Sequence, residues 1–153
     1  MELFKLRRIA GLKDVSGNLP RFLEIRSALG SDVALLSGDD ALYLLVLARG
    51  GDGIISMTSN VAPKMCVAIH AAWQSGEVKK AQRINQILAP LNRALFLETS
   101  PAPVKYAASL LDLSTAEVRP PLCAIEDYTK VKVREAMAHA ELLESELSRQ
   151  RCA

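Results

Sequence analysis

The chain is poor in the residues that most often announce a chemistry. Of 153 residues only three are cysteine (Cys66, Cys123 and Cys152), far apart and without a Cys-x-x-Cys pair, and only two are histidine. Zinc sites draw on clustered cysteine and histidine, so no metal site is expected. An odd cysteine count, with no secretory apolar core in the opening "MELFKLRR", points to reduced thiols and a cytoplasmic location. An excess of one charge is missing as well. Nineteen Lys and Arg face 17 Asp and Glu, a net charge of +2, which argues against nucleic acid or an anionic membrane as a partner. Lys130, Lys132 and Arg134 alternate with valines and are followed by acids, the pattern of a solvated helix face. The longest apolar run, "ALYLLVLA" at 41–48, is far shorter than the ~20 residues of a membrane-spanning helix.

What is present is an ordinary globular composition, 50% hydrophobic and 24% charged, of single-domain length. The first third alternates between two periodicities. "RIAGL" (8–12) is a short apolar run ending at Lys13. "LPRFLEIRSALG" (19–30) has helical spacing at Leu19, Phe22, Leu23, Ile25 and Leu29, with Pro20 in its first turn and Gly30 as its stop. "VALLSG" (33–38) reads as a second strand. "DDALYLLVLARGG" (39–51) reads as a helix with an Asp cap and closing glycines. "GIISMTSN" (53–60) reads as a third strand. Strand–helix–strand–helix–strand predicts parallel pairing through right-handed crossovers.

The remainder reads as helical. Helices are expected over 62–75, over 77–98 with a kink at Pro90, and over 100–113 after its prolines. "RPPLCAI" (119–125) is an extended linker. A last helix is expected from Glu126 to Arg149, with Tyr128, Val131, Ala136, Ala140, Leu143 and Leu147 on one face.

Sites in parallel α/β proteins collect at the carboxyl ends of the strands. Here those ends carry Lys13-Asp14, "SGDD" (37–40) and "SMTSN" (56–60). Lys13 has two readings. It is either a surface lysine whose stem snorkels to water, or a desolvated amine, since burial disfavours the ammonium and frees a nucleophile for Schiff-base chemistry. Gly38 either allows a ligand to approach the backbone or serves a turn. Asp39 and Asp40 read as helix-capping acids, and Ile54 and Ile55 as packing residues of the strand. His70 and His139 sit mid-helix in structural roles.

Five strings in order, "AGLKDVSGNLPRF", "LLSGDDAL", "GGDGIISMTSNVAP", "INQILAPLNRALFLETSPAPVKYA" and "VRPPL", resemble the dihydrodipicolinate synthase branch of the pyruvate-dependent class I aldolases. The resemblance covers nearly the whole chain. It implies an α/β fold, the C-terminal portion of a TIM (β/α)8 barrel with three parallel strands, plus a C-terminal helical extension. Residues 1–61 would form the last three barrel strands, and residues 62–153 the last barrel helix and the extension. It implies that Lys13 forms a Schiff base with pyruvate, that Ile55 contacts the bound pyruvate through its main chain, and that Gly38 borders the same pocket. It assigns no catalytic role to Lys105 or Arg119, and requires no metal or organic cofactor.

The implied reaction condenses pyruvate with aspartate semialdehyde, on the route to lysine and diaminopimelate. Alternatives are another pyruvate lyase, such as N-acetylneuraminate lyase or a keto-sugar-acid aldolase, and a non-catalytic fragment that binds a homologous chain. A complete barrel takes about 250 residues, and the family lysine lies at the end of the sixth strand. The pyruvate-carboxylate donors, the proton-relaying tyrosine and the arginine for the second substrate have no counterpart here. Tyr43, Tyr106 and Tyr128 occur in helical contexts. The expectation is a chain inactive alone, homo-oligomeric or paired with a separate N-terminal half.

Overall fold

The computed structural model describes residues 4, 6 and 8–143. Its elements in chain order are β1 (Gly11–Asp14), α1 (Leu19–Leu29), β2 (Ala34–Ser37), α2 (Tyr43–Ala48), β3 (Gly53–Ile54), α3 (Pro63–Gln74), α4 (Val78–Ala94), α5 (Ala102–Ser109) and α6 (Asp127–His139). The chain divides into two compact units, Met1–Met57 and Thr58–Ala153.

The first unit is a three-stranded parallel sheet in the order β1-β2-β3. Its helices start and stop where local chemistry dictates. Asn18 caps α1 by accepting the Arg21 N–H at 3.0 Å, and Gly30, at φ 68°, closes it with its N–H on the Arg26 carbonyl. Asp39 accepts the Ala41 N–H at 2.9 Å and opens a 3-10 turn, Asp40–Leu42, that runs into α2. Phe22, Leu35 and Val46 form the core between helices and sheet, flanked by Leu12, Leu19, Ile25 and Leu42.

A polar staple sits at the other end of the sheet. The Asp52 carboxylate accepts the Leu35 N–H at 2.7 Å and a guanidinium N–H of Arg26. The Asp52 N–H returns to the Leu35 carbonyl at 3.0 Å. Arg26 also donates to the carbonyls of Gly30 and Val33. One guanidinium thus ties α1 to the entry of β2 and the approach to β3.

Three readings change in the structure. β1 begins later than expected and contains Lys13, because its bounds follow the register Gly11↔Ala34 to Asp14↔Ser37. β3 is two residues rather than eight. The Ile55 N–H still reaches the Ser37 carbonyl at 2.8 Å, but the next two residues turn aside to Asp40, and Thr58–Asn60 is a 3-10 turn. The last helix buries Thr129, Val133, Ala136 and Met137. Tyr128 and Val131 lie on its exposed side, 63% and 49% exposed. One position is a rotation of about 100° on a helix, so the tyrosine and the threonine beside it cannot share the seam. Leu147 and the expected turns over 144–149 lie outside the described residues, as does Cys152.

The second unit is helical. α3 packs on α4, and α6 packs on α4 and α5. Ile69, Leu88, Leu91, Val133 and Met137 are buried in it. Pro90 lies inside α4, which continues to Ala94. The buried Thr58 hydroxyl donates to the Asn92 side chain at 2.7 Å. The Glu98 carboxylate accepts the Glu126 N–H at the start of α6. Among the described residues no helix is long and apolar enough to cross a membrane.

The staple yields a stability prediction. The Leu35 N–H, joined by the Arg26 guanidinium and opposed by partial burial, holds the Asp52 carboxyl below the usual carboxylate range. A depressed folded value means the contribution is present above the ordinary carboxylate pKa of about 3.9 and fades as pH falls through the folded value. The Asp52 side chain is 47% exposed, so screening limits the effect. Asp52→Asn should cost about 1 kcal/mol at pH 7. Urea titrations at pH 7 and at progressively lower pH should show the gap between wild type and variant closing below pH ~4.

Candidate functional site

Parallel pairing brings the carboxyl ends of β1, β2 and β3 to one edge of the sheet. Lys13 sits on β1 opposite Leu36, Asp14 opposite Ser37, and Ser37 opposite Ile54. With strands spaced by about 4.8 Å, the span from the lysine strand to the isoleucine strand is about 10 Å. A lysine side chain and a three-carbon acid can bridge such a width.

Each of the three candidate positions is held by its own contacts. Lys13 is exposed, and its stem runs toward the end of β2. Asp14 accepts from the Ser16 hydroxyl at 2.8 Å and lies 3.8 Å from the Arg21 guanidinium. The acid beside the lysine is thereby committed to the turn that follows. Gly38 leaves β2 with its N–H on the Asp14 carbonyl at 2.7 Å. The hydroxyl of buried Ser37 accepts the Asp39 N–H and donates to the Asp39 carbonyl, which closes the "SGDD" turn. Ile55 is 49% exposed, just past the end of β3.

Asp40 does work that the sequence did not reveal. Asp39 takes the helix cap, while Asp40 is 4% exposed and faces the third strand end. Its carboxylate accepts the Met57 N–H at 2.9 Å and the Ser56 hydroxyl. Together with the Ile55 N–H on Ser37, this fixes the chain on both sides of the Ile55 carbonyl. A signal was available in the doubled acid. One aspartate satisfies the cap of a helix start, which leaves the second to be explained by something outside the turn.

The other candidates fall elsewhere. Tyr43 is buried on α2. In the helical unit, the Tyr106 hydroxyl accepts from Arg134 Nε at 2.7 Å, and Tyr128 is exposed on α6. Half-buried His70 lies on α3, and exposed His139 ends α6. Lys105 is on α5, and Arg119 is exposed in the linker. Among the described residues no three His, Cys, Asp or Glu side chains gather as metal ligands would.

At this edge a lysine near the end of one parallel strand stands beside a glycine after the next and an anchored main chain after the third. Comparison with known proteins names the lineage. Residues 1–140 match the dihydrodipicolinate synthetase family, and the chain belongs to that family. It is 45% identical over 141 residues to 4-hydroxy-tetrahydrodipicolinate synthase of Bradyrhizobium diazoefficiens, covering 92% of this chain and 48% of that protein. It is 47% identical over 137 residues to the enzyme of the same name from Bartonella henselae, covering 90% and 47%. Among solved structures, dihydrodipicolinate synthase from Cyanidioschyzon merolae with lysine bound superposes with a TM-score of 0.87 at 36% identity, covering 93% of this chain and 48% of that one. The chloride-inhibited enzyme from Acinetobacter baumannii complexed with pyruvate gives a TM-score of 0.85 at 32% identity, covering 93% and 49%. The chain spans about half the length of the relatives it matches. Its fold is the C-terminal portion of their TIM barrel, three parallel strands with their helices, followed by further helices.

The Asp40 clasp is open to test. Asp40→Ala removes the carboxylate from a part-buried N–H and hydroxyl and should cost about 1–2 kcal/mol in urea unfolding. Hydrogen exchange should quicken at the Ile55 and Met57 amides while the Leu35 and Leu36 amides stay protected, which would place the loss at the end of β3.

Proposed function

We propose that this chain supplies the nucleophile strand and one side of the substrate pocket of a Schiff-base lyase that condenses pyruvate with aspartate semialdehyde. The observation that carries the reading is Lys13, placed at the carboxyl end of a parallel strand within a stretch that matches a family of synthases. The Lys13 amine attacks the keto carbon of pyruvate. Loss of water forms an iminium, whose positive nitrogen draws electrons from the adjacent methyl group. That group loses a proton, the enamine carbon attacks the aldehyde, and hydrolysis or ring closure frees the lysine. The Ile55 carbonyl, held between Ser37 and Asp40, lines the pocket, and Gly38 borders it. No metal or organic cofactor enters this scheme. Reduced thiols suit a cytoplasmic enzyme.

The carboxylate donors, the proton relay and the site for the second substrate belong, on this reading, to a polypeptide carrying the earlier barrel strands. Among the described residues β1 and β3 each pair on one side only, and such edges accept another strand. The partner is either a separate N-terminal half or a homologous chain. A chain that pairs without turning over is the second reading, favoured by the same open edges.

Incubation with pyruvate, reduction with borohydride and peptide mass analysis separate these outcomes. We expect a carboxyethyl adduct on Lys13, formed slowly by the chain alone. The rate should rise about 100-fold or more when the N-terminal half of a relative is supplied, since general acid–base help is typically worth that much. A folded sample that pairs with the half-chain but gains no adduct on Lys13 would leave only the non-catalytic reading.

A further inference from the structure

Gly38 is the candidate whose role the geometry redefines. Its backbone is outside the left-handed region that Gly17 and Gly30 occupy, so the chain conformation there would accept alanine. Space would not. A Cβ on residue 38 would lie 2.0 Å from Val15 Cγ1 and 2.5 Å from Lys13 Cε. Lys13 is on β1 and Val15 is one residue past its end, and both side chains lie against Gly38. The end of the lysine stem fills the space beside Gly38 where a side chain would stand.

We propose that Gly38 is a positioning residue for Lys13, acting through the lysine stem. The proposal deepens the reading of Lys13 as the amine nucleophile and rests on it. The two overlaps can be separated by substitution. Gly38→Ala meets both Val15 and Lys13. Adding Val15→Ala removes the nearer overlap and leaves the lysine overlap in place. A structural glycine and a positioning glycine therefore predict different results for the double variant.

The test is competitive acetylation of the whole chain with trace acetic anhydride, read by peptide mass analysis. Exposed Lys64 and Lys79 serve as internal standards, and circular dichroism reports folding and thermal midpoint. In Gly38→Ala the Lys13 rate should depart from wild type by about 3- to 10-fold, the range expected when a side chain is forced off its rotamer. Val15→Ala alone should leave the Lys13 rate near wild type. The double variant should recover the thermal midpoint yet keep the altered Lys13 rate. Recovery of both, or an unchanged rate in folded Gly38→Ala, overturns the proposal. If Gly38→Ala does not fold, the double variant decides. Borohydride trapping with pyruvate is run in parallel. An altered acetylation rate without a pyruvate adduct would retain the positioning role and remove the lyase reading, so the two failures are distinct.

Discussion

Everything at the candidate site follows from the parallel register of three short strands. Parallel pairing sends every strand in the same direction, so the residues that end them meet at one edge. Reversing β2 would carry Ser37 and Gly38 to the edge opposite Lys13 and Ile54. The register is set by buried side chains. Leu35 is fully buried beneath Phe22 and Val46, and a one-residue slip would turn it to the other face of the sheet. The Asp52–Arg26 staple reinforces the same register from the opposite end by holding both the N–H and the carbonyl of Leu35. Core and staple therefore act on β2, the strand that has neighbours on both sides, and the outer strands take their positions from it.

The elements whose start and stop are written in adjacent residues were legible in the sequence. Asn18, Pro20 and Gly30 delimit α1 through contacts within a few residues of each other, and Asp39 opens the turn into α2 in the same local way. The strand-end location of Lys13 followed from counting strands and helices. Features that depend on residues distant in sequence were harder to see. The length of β3 is decided by Asp40, which captures the Met57 amide from 17 residues away. The buried face of α6 is decided by its packing on α4 and α5. Period alone places Tyr128 and Thr129 equally well, and the polar residue of the pair is the one inside. The role proposed for Lys13 rests on the ordered family strings rather than on spacing, since a lysine ending a strand is more often a surface residue.

The two acids of "SGDD" show how tightly the local and distant roles are interleaved. Asp39 spends its side chain on the helix start, and this places Asp40 where only its carboxylate can reach the third strand end. Four residues, Ser37 to Asp40, thus close their own turn, begin α2 and anchor the approach to Ile55. The glycine among them contributes by absence.

The groups that shape this edge of the sheet all lie between Lys13 and Met57, and their bonds span modest distances along the chain. Such contacts have a low loop-closure cost, so the floor of the site can assemble without the rest of a barrel. The chemistry has a different requirement. Iminium formation needs an amine placed against a keto carbon, which local geometry can supply. Removing a methyl proton needs a base held against that methyl group, and stabilising the keto acid needs donors at its carboxylate. On the proposed reading those groups come from across a closed barrel, about two strand spacings or more from the lysine. On the proposed reading, placement of the lysine amine and completion of a catalytic set are therefore separable physical events. The first is set by the register of β1 on β2, which puts Lys13 opposite Leu36. The second depends on what pairs with β1 and β3, each of which pairs on one side only among the described residues.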